Sequence, residues 1–554
     1  MCIVCLASSW PGSLTADLGD DGVSASYLNA DARGGTASGK PSYTIDQAAY
    51  QIVRGEPGWS SALGQPFTVT YAFRSTAPAT MPDDTGGFSR FNEAQIVQAE
   101  LALTAWSDVA NITFVRVGTG TSGEGAYSNN ATMLFSNYST GSEDSVAFAY
   151  YPGSTAASSR AGDVWINVTR SSNATPSVGN YGGHVLVHEI GHAIGLAHPS
   201  DYNAGASSPT YAASATYYED TRQYTVMSYF SEANTGANFG GRYSAAPLID
   251  DIAAAQLEYG ANMTTRTGNT VYGFNSNADR PWFEATSSAT RLVFAVWDAG
   301  GDDTFDFSGY ANNQTIDLRA GHFSDVGGLI GNVAIAKGVT IENARGGSGA
   351  DSIMGNAANN SIFGGSGNDT VFGAEGRDYL RGDAGNDLIY GGADFDDING
   401  NMGNDTVYAG DGDDWAVGGQ DHDLLYGQAG NDIVYGNMGN DTVDGDVGND
   451  TLRGGQGEDW LLGLAGNDWL SGDRGNDTIT GGSGADIFHL IAECDLDYVT
   501  DFNSAEGDRV RFEVPGTPYT LRFEGSDTII DLGGGHRMVL AGVTQSTLGD
   551  WLAT

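Results

Sequence analysis

A nine-residue repeat over residues 346–489 constrains the fold of this 554-residue chain more than any other feature. Sixteen consecutive units follow the pattern G-G-x-G-x-D-x-U-x, where U is a large apolar residue in every unit except the one with Ala416. Glycine in the first half permits a tight turn with positive φ, and the second half predicts a short strand with one inward side chain. Stacked units would therefore bury a column of apolar residues.

The sixth place of the unit is aspartate in every unit except one, where Asn360 stands. The span holds 26 acidic and 4 basic residues, so the stack cannot be compact unless cations neutralise it. Carboxylate and carbonyl oxygens, without a histidine or cysteine ligand set, favour Ca²⁺. A flexible glycine-rich linker is the alternative, but linkers do not keep an apolar residue at every ninth place. The predicted repeat ligands are Asp351, Asp369, Asp378, Asp387, Asp396, Asp405, Asp414, Asp423, Asp432, Asp441, Asp450, Asp459, Asp468, Asp477 and Asp486.

The composition excludes several classes of protein. A formal net charge of −45 disfavours nucleic acid and anionic membrane surfaces as partners. Hydrophobic residues make up 40% of the chain, so it is not a disordered acidic tail, and three cysteines cannot form a disulfide framework. The sequence contains no apolar run of about 18 residues that would span a membrane. Residues 1–11 lack the features of a secretory leader, so we expect none.

A second motif, H-E-I-G-H-A-I-G-L-A-H, occupies residues 188–198. The apolar residues around it predict a helix that places His188 and His192 on one side, four residues apart. Gly195 can adopt the left-handed conformation that ends the helix, so that His198 becomes a third nitrogen ligand. Three neutral imidazoles around an open position are typical of catalytic zinc.

Glu189 follows the first histidine directly, so it would lie beside the metal without binding it and accept a proton from zinc-bound water. The predicted reaction is hydrolysis of peptide bonds. The alternative is three hydrogen-bonded histidines on an ordinary buried helix. His184 lies four residues before His188 but outside the motif, and we expect it at the surface near the helix start.

The two motifs together resemble a known family. The repeats resemble the RTX nonapeptides of bacterial proteins exported by type I secretion, and the extended histidine motif resembles that of the metzincin metalloproteases. Their combination is similar to the serralysin group, and residues 39–44, 198–202, 248–254 and 338–343 agree with that group. The resemblance implies an α+β metzincin zinc-protease domain followed by an all-β parallel β-roll, with two repeat units per turn and calcium between turns.

We therefore expect five regions. They are a propeptide or flexible N-terminus (1–30), the protease domain (31–264), a β-rich connection with calcium sites (265–345), the β-roll (346–489), and a C-terminal β segment with the secretion signal (490–554).

The resemblance also implies roles for individual residues. It places zinc on His188, His192 and His198, makes Glu189 the general base, and makes Tyr229 a movable zinc ligand that can hydrogen-bond the oxyanion. Met227 would lie in a turn beneath the ligands. Without the family, residues 298–303 are only a turn with carboxylates. The calcium ligands that the resemblance implies outside the repeat are Arg266, Gly268, Thr270, Asp298, Gly300, Gly301, Asp303, Thr340 and Glu342, with the arginine and glycines acting through their carbonyl groups.

Periodicity in the first half of the chain predicts a long amphipathic helix over residues 91–106. Alternating apolar residues predict strands at 112–117, 133–135, 147–150 and 164–167. The last two strands are candidates for an edge that pairs with an extended substrate, and ordinary sheet strands are the alternative.

Three functions remain open at this point. The first is a secreted, monomeric zinc endopeptidase that cleaves extracellular proteins, leaves the cell through a type I secretion apparatus without a leader, and folds in extracellular calcium. A proteinaceous inhibitor would be a further partner. The second is a non-enzymatic RTX surface or matrix calcium-binding protein, and the third is a narrow-specificity protease that processes one partner such as a surface-layer protein. Cys2 and Cys5 suggest a thiolate latch on the zinc in a removable propeptide, against the simpler interpretation of an unstructured terminus.

Overall fold

A computed structural model describes residues 27–55, 58–82, 85–141, 146–153, 161–202 and 209–553. Within these residues an α/β part precedes a long parallel β-solenoid, and the predicted fold class is thereby confirmed. The cysteine pair of the latch hypothesis, Cys2 and Cys5, lies outside the described residues. No helix in the described part of the chain is long and apolar enough to cross a bilayer.

The helices belong to the first half of the chain. The helix predicted over 91–106 begins later, because the Asn92 side chain caps it in a capping box with Gln95, and it also ends later. Short 3-10 turns lie at Ala30–Ala32, Glu124–Ala126 and Glu232–Thr235. The α-helices are α1 Ile45–Val53, α2 Glu93–Val109, α3 Ser171–Ala174, α4 Tyr181–Ala193, α5 Tyr211–Ser214 and α6 Ile249–Tyr259.

A five-stranded sheet supports these helices. Its order is β4-β3-β5-β7-β6, and every pair is parallel except the edge strand β6, which runs antiparallel to β7. Helices α2 and α4 pack together, and Trp106 of α2 donates from Nε1 to the Val187 carbonyl of α4 at 3.1 Å. The strands are β1 Thr36–Ala37, β2 Lys40–Pro41, β3 Phe67–Phe73, β4 Ile112–Arg116, β5 Met133–Tyr138, β6 Ala147–Ala149 and β7 Val164–Asn167.

The rest of the chain is built from short strands. They are β8 Val271–Gly273, β9 Phe294–Val296, β10 Thr304–Asp306, β11 Thr315–Asp317, β12 Phe323–Ser324, β13 Val333–Ile335, β14 Asn343–Arg345, β15 Ser352–Met354, β16 Ser361–Ser366, β17 Thr370–Glu375, β18 Tyr379–Ala384, β19 Leu388–Ala393, β20 Asp397–Met402, β21 Thr406–Asp411, β22 Trp415–Gln420, β23 Leu424–Ala429, β24 Ile433–Met438, β25 Thr442–Asp444, β26 Thr451–Gln456, β27 Trp460–Ala465, β28 Trp469–Arg474, β29 Thr478–Ser483, β30 Ile487–Leu490, β31 Leu496–Val499, β32 Arg509–Phe512, β33 Thr520–Glu524, β34 Asp527–Gly533 and β35 His536–Leu540.

All of these strands except β9, β12 and β13, which form a three-stranded sheet of their own, stack into two sheets of 12 and 13 strands, which face each other across the roll. Within a sheet each repeat strand pairs in parallel with the strand two units away, as Val407 pairs with Leu425 and Leu425 with Val443. The eighth-place residues point inward and are buried, Ala416 included. Both sheets continue into β8, β10, β11 and β14 before the repeat and into β31, β32 and β35 after it. The roll therefore extends beyond the residues that match the motif.

The glycines of the unit have two different roles. In most units the second and fourth glycines take positive φ, for example Gly392 at +128° and Gly403 at +121°. The first glycine does not, contrary to our expectation. Glycine stands there in every unit but the one with Ala409, and the repeat aspartate approaches it closely: a Cβ on Gly400 would lie 2.1 Å from Oδ2 of Asp405.

Two adjacent leucines test the inward and outward alternation. Leu425 is fully buried, whereas Leu424 is 43% exposed in the same strand. We expect Leu425→Ala to lower the free energy of unfolding of the calcium-loaded protein by about 2–5 kcal/mol, because it leaves a cavity in the column. Leu424→Ala, the matched control, should change it by less than about 0.5 kcal/mol. Chemical denaturation followed by circular dichroism measures both, and equal losses would contradict the inward column.

Candidate functional site

The motif helix α4 begins after Asn180, whose side chain accepts a hydrogen bond from the Gly183 N–H at 2.8 Å. At its other end the chain turns at Gly195, which has a φ of +102°. Trp59 Nε1 donates to the Ala193 carbonyl at 2.9 Å, and the Tyr259 hydroxyl donates to the Ile194 carbonyl at 2.6 Å. These side chains satisfy carbonyls that the end of a helix leaves unpaired.

His188, His192 and His198 converge, as the motif predicts. Each Nδ1 faces a backbone carbonyl: that of Val226 at 2.7 Å, of Leu196 at 2.7 Å and of Tyr202 at 2.9 Å. A carbonyl oxygen only accepts, so each Nδ1 carries the ring proton and each Nε2 presents a lone pair. Nε2 of His198 lies 3.1 Å from Nε2 of His192 and 3.3 Å from Nε2 of His188.

Three lone pairs at this separation repel one another unless a cation lies among them. Burial lowers the pKa of His188 to about 4 and that of His192 well below its usual value, so protonation does not supply the missing charge at neutral pH. Nitrogens about 2.0–2.1 Å from a tetrahedral zinc ion would be about 3.3–3.4 Å apart, close to the separations seen here. The three residues therefore fit zinc.

Glu189, which follows His188 in α4, is buried. Its Oε2 has no hydrogen-bond partner among the described residues, and desolvation raises the pKa of the carboxyl to about 8. A divalent cation nearby would oppose that rise, because it favours the ionised form. The carboxylate therefore has one oxygen without a competing partner in the described part of the chain.

Tyr229 lies on the accessible side of the histidines. Its ring centroid is 4.5 Å from that of His198 and 5.8 Å from that of His188, and 37% of the residue is exposed. Tyr151 approaches from another side, with its ring 5.4 Å from the His192 ring. The structure therefore brings the predicted phenol to the histidine cluster.

Met227 lies beneath the helix, fully buried. A Cβ on Gly191 would lie 2.5 Å from the Met227 sulfur, so the helix needs a glycine at this place in the motif. The turn that carries Met227 is held by Asp251: Oδ1 accepts from the Thr225 hydroxyl at 2.5 Å, and Oδ2 accepts from the Val226 N–H at 2.7 Å. Sequence reasoning assigned Asp251 no role.

The neighbouring carboxylate ties the N-terminal segment to this turn. Asp250 accepts two hydrogen bonds of 2.8 Å from the Arg33 guanidinium, and both groups are buried. The Asp250 N–H donates to the Tyr224 carbonyl at 3.0 Å. Breaking one partner of such a pair would leave a buried unpaired charge.

His184 is buried, and the expectation that it lies at the surface was wrong. Its ring centroid lies 5.5 Å from that of Tyr243 and 6.1 Å from that of Tyr181, so these two rings cover it. Burial lowers its pKa to about 3. Its ring centroid is 6.4 Å from that of His188, and His184 is not one of the three histidines whose ring nitrogens converge.

The residues implied as calcium ligands before the repeat lie close together. Asp303 Oδ1 accepts from the Thr270 N–H at 2.7 Å, and Glu342 Oε2 accepts from the Asp303 N–H at 2.7 Å. Oδ2 of Asp303 is buried without a hydrogen-bond partner in the described chain, and desolvation raises its pKa to about 7. The Thr270 hydroxyl donates to the Gly268 carbonyl at 2.9 Å, and the Gly300 N–H donates to Asp298 at 2.9 Å. The backbone has positive φ at Arg266 and Gly301. Thr340 is exposed.

The repeat aspartates form two columns, one along each side of the roll. Each backbone N–H donates to Oδ1 of the aspartate two units later, as Asp387 does to Asp405 at 2.8 Å. The second oxygen, Oδ2, is buried and has no hydrogen-bond partner in the described part of the chain, in every column aspartate from Asp369 to Asp486. Calcium is bound by several oxygen ligands at once, and a row of buried carboxylate oxygens without hydrogen-bond partners supplies ligands of this kind.

Asp351 differs from the other repeat aspartates. Its Oδ1 accepts from the Gln314 N–H at 2.7 Å, and its Oδ2 accepts from the Gly347 N–H at 2.6 Å. Asn360, the exception in the sequence, holds the equivalent place in the other column, where its amide donates to the Glu342 carbonyl at 2.9 Å. Protein groups therefore pair with these two side chains at this end of the columns.

The columns also continue after the repeat, at positions that sequence periodicity missed. Thr478 pairs with Tyr498, so Asp497 follows Asp477 in one column. In the other column Asp486 donates from its N–H to Oδ1 of Asp508 at 3.1 Å.

Comparisons with known proteins agree with this arrangement. The chain matches the family described as Peptidase M10 serralysin C terminal at residues 261–391 and the Metallo-peptidase family M12 at residues 88–239. The RTX calcium-binding nonapeptide repeat matches at 381–416, 417–452 and 453–488.

Three relatives share about half of their aligned residues with this chain. Metalloprotease AprA of Pseudomonas entomophila is 51% identical over 360 residues, which are 62% of this chain and 72% of the relative. Serralysin C of Dickeya chrysanthemi is 52% identical over 321 residues (58% and 66%), and Metallopeptidase AprA of Pseudomonas marginalis is 52% identical over 333 residues (58% and 68%).

These similarities confirm the predictions that the substrates are proteins and that the cofactors are zinc and several calcium ions. They do not favour the two alternative functions, a non-enzymatic matrix protein and a processing protease with a single partner. The chain belongs to the serralysin family and is a secreted, calcium-dependent zinc metalloprotease.

Proposed function

We propose that His188, His192 and His198 hold the catalytic zinc, and that Glu189 and Tyr229 are the catalytic side chains of peptide-bond hydrolysis. One observation carries the proposal: three Nε2 atoms converge, and the buried Glu189 carboxyl, which follows the first of these histidines in α4, has an oxygen without a hydrogen-bond partner among the described residues. When bound, zinc supplies a Lewis acid that activates water and polarises the substrate carbonyl.

Glu189 moves the proton in this scheme. Its unpaired Oε2 accepts a proton from the attacking water, and the same oxygen then delivers that proton to the nitrogen of the leaving amine. The backbone carbonyls of Val226, Leu196 and Tyr202 keep the three imidazoles in one tautomer throughout.

Tyr229 stabilises the negative charge that develops on the substrate carbonyl oxygen. Its ring is next to His198 and partly exposed, so its hydroxyl can move between the metal position and the oxyanion without unfolding the core. A phenol suits both places, since it binds a metal as phenolate and donates a hydrogen bond as phenol.

The edge strand β6 is the proposed pairing partner of the substrate backbone. It is the last strand of the five-stranded sheet and packs against α4, which carries two of the histidines. An extended peptide that adds to this edge would run across the zinc position.

We also propose that the columns and the cluster around Asp303 bind calcium, and that calcium drives the folding of the roll outside the cell. The ligands are those predicted from the sequence, and the five predicted regions remain our proposal for the division of the chain. A type I secretion apparatus would export the chain by its C-terminal segment, and a proteinaceous inhibitor would act by covering the histidine cluster.

Replacement of Glu189 tests the catalytic assignment. Glu189→Gln should lower kcat for a casein-derived peptide by about 10²–10⁴-fold, because it removes the general base. Zinc content, measured by atomic emission, should stay at one ion per chain. Glu258→Gln is the matched control, since Glu258 is also a buried glutamate but lies on α6, and its kcat should stay near that of the wild type. Retention of kcat in Glu189→Gln would overturn the assignment.

The calcium-free protein should show an unusual pH dependence. Burial raises the pKa to about 7 for Asp369 and to about 8 for Asp396 and Asp459, well above the value of about 3.9 in an unfolded chain. The folded roll then holds protons that the unfolded chain has released, so its stability falls as pH rises from about 4 to about 8. In the inactive Glu189→Gln protein with chelator, thermal unfolding should occur at a higher temperature at pH 5 than at pH 8.

Calcium in millimolar excess should raise the unfolding temperature at pH 8 far more than at pH 5, because it replaces the missing protons. A calcium-free roll that is more stable at pH 8 than at pH 5 would contradict the column arrangement.

A further inference from the structure

Tyr202 contacts both the third histidine and Tyr229. Its carbonyl accepts from Nδ1 of His198 at 2.9 Å, and its ring stacks on the His198 ring at 5.2 Å and 17°. The Tyr202 and Tyr229 rings lie 5.2 Å apart. A single buried side chain thus connects the third imidazole to the segment that carries the movable phenol.

Asp220 anchors Tyr202 from the opposite side. This carboxylate is fully buried and forms no salt bridge within the described residues. It accepts three hydroxyl hydrogen bonds: from Tyr202 at 2.8 Å, from Ser200 at 2.7 Å and from Ser228 at 2.7 Å. Charge-assisted hydrogen bonds of this kind are among the stronger ones in proteins.

The three hydroxyls come from two loops. Ser200 and Tyr202 belong to the loop that follows His198, whereas Ser228 directly precedes Tyr229. Because one carboxylate binds both loops, it fixes the position of the Tyr229 backbone relative to the His198 ring.

We infer that Tyr202 and Asp220 are positioning residues for Tyr229 in peptide hydrolysis. Neither needs to touch the substrate: Asp220 binds the Tyr202 hydroxyl, whose ring lies beside that of Tyr229, and it also binds the hydroxyl of Ser228, the residue before Tyr229. The inference rests on the proposed role of Tyr229, since it describes how that phenol is kept within reach of the oxyanion.

A double-mutant cycle in the full-length, zinc- and calcium-loaded protein tests the inference. Tyr202→Phe keeps the ring and the carbonyl but removes the hydroxyl. It should lower kcat on a fluorogenic peptide about tenfold with KM changed less than about twofold, because small displacements of a catalytic group are costly. In a Tyr229→Phe background the same substitution should change kcat less than about twofold, because the group that it positions is absent.

Controls separate positioning from general loss of stability. Tyr310→Phe also removes a buried phenol hydrogen bond, to the Thr290 carbonyl, and should leave kcat unchanged. If Tyr202→Phe does not fold, Ser228→Ala replaces it in the cycle, because it removes the Asp220 bond next to Tyr229.

The outcomes are distinguishable. If Tyr229→Phe alone keeps the wild-type kcat, the proposed role of Tyr229 fails and the inference fails with it. If Tyr229→Phe lowers kcat but Tyr202→Phe lowers it equally in both backgrounds, the proposed function stands and the positioning inference is overturned. An unchanged kcat in Tyr202→Phe overturns the inference as well.

Discussion

At two kinds of place in this chain, buried lone pairs face one another without protons between them. A bound cation would remove the repulsion at both. At the first, three imidazole Nε2 atoms converge in a largely buried cluster. At the second, the Oδ2 atoms of the repeat aspartates from Asp369 to Asp486 lie in two buried columns without hydrogen-bond partners among the described residues. Removing a charge or lone pair from water without compensation is expensive. The catalytic centre and the solenoid are therefore two solutions to one constraint, with nitrogen ligands for zinc and oxygen ligands for calcium.

The catalytic centre depends on carboxylates that do not touch the metal position. Asp251 holds the turn that carries Met227, Asp250 binds Arg33 of the N-terminal segment, and Asp220 joins the loop after His198 to the segment of Tyr229. All three carboxylates are buried. Each satisfies several donors from segments far apart in the chain, so the histidine cluster is assembled on a prearranged frame and does not depend on the motif helix alone.

Much of this arrangement follows from the sequence, because it rests on short-range periods. Alternation within a nine-residue unit predicts that Leu425 is inside and Leu424 outside, and helical spacing predicts that His188 and His192 meet. Contacts between distant segments could not be predicted. His184 is buried by Tyr243, which is 59 residues away in the sequence. The nine-residue period did not predict that Asp497 and Asp508 continue the columns, because insertions lengthen the spacing, to 22 residues between Asp486 and Asp508. The roles of Asp220 and Tyr202 likewise depend on contacts between two loops, and these contacts form only in the folded protein.

An anomalous difference map from crystals of the secreted protein grown in calcium, with data collected just above the zinc absorption edge, tests the shared constraint directly. We expect one strong peak about 2.0–2.1 Å from Nε2 of His188, His192 and His198. We also expect weaker peaks about 2.3–2.6 Å from the Oδ2 atoms of the column aspartates from Asp369 to Asp486. Metal peaks confined to surface carboxylates, with the imidazoles and the column oxygens lacking a metal neighbour, would contradict a cation at either kind of place.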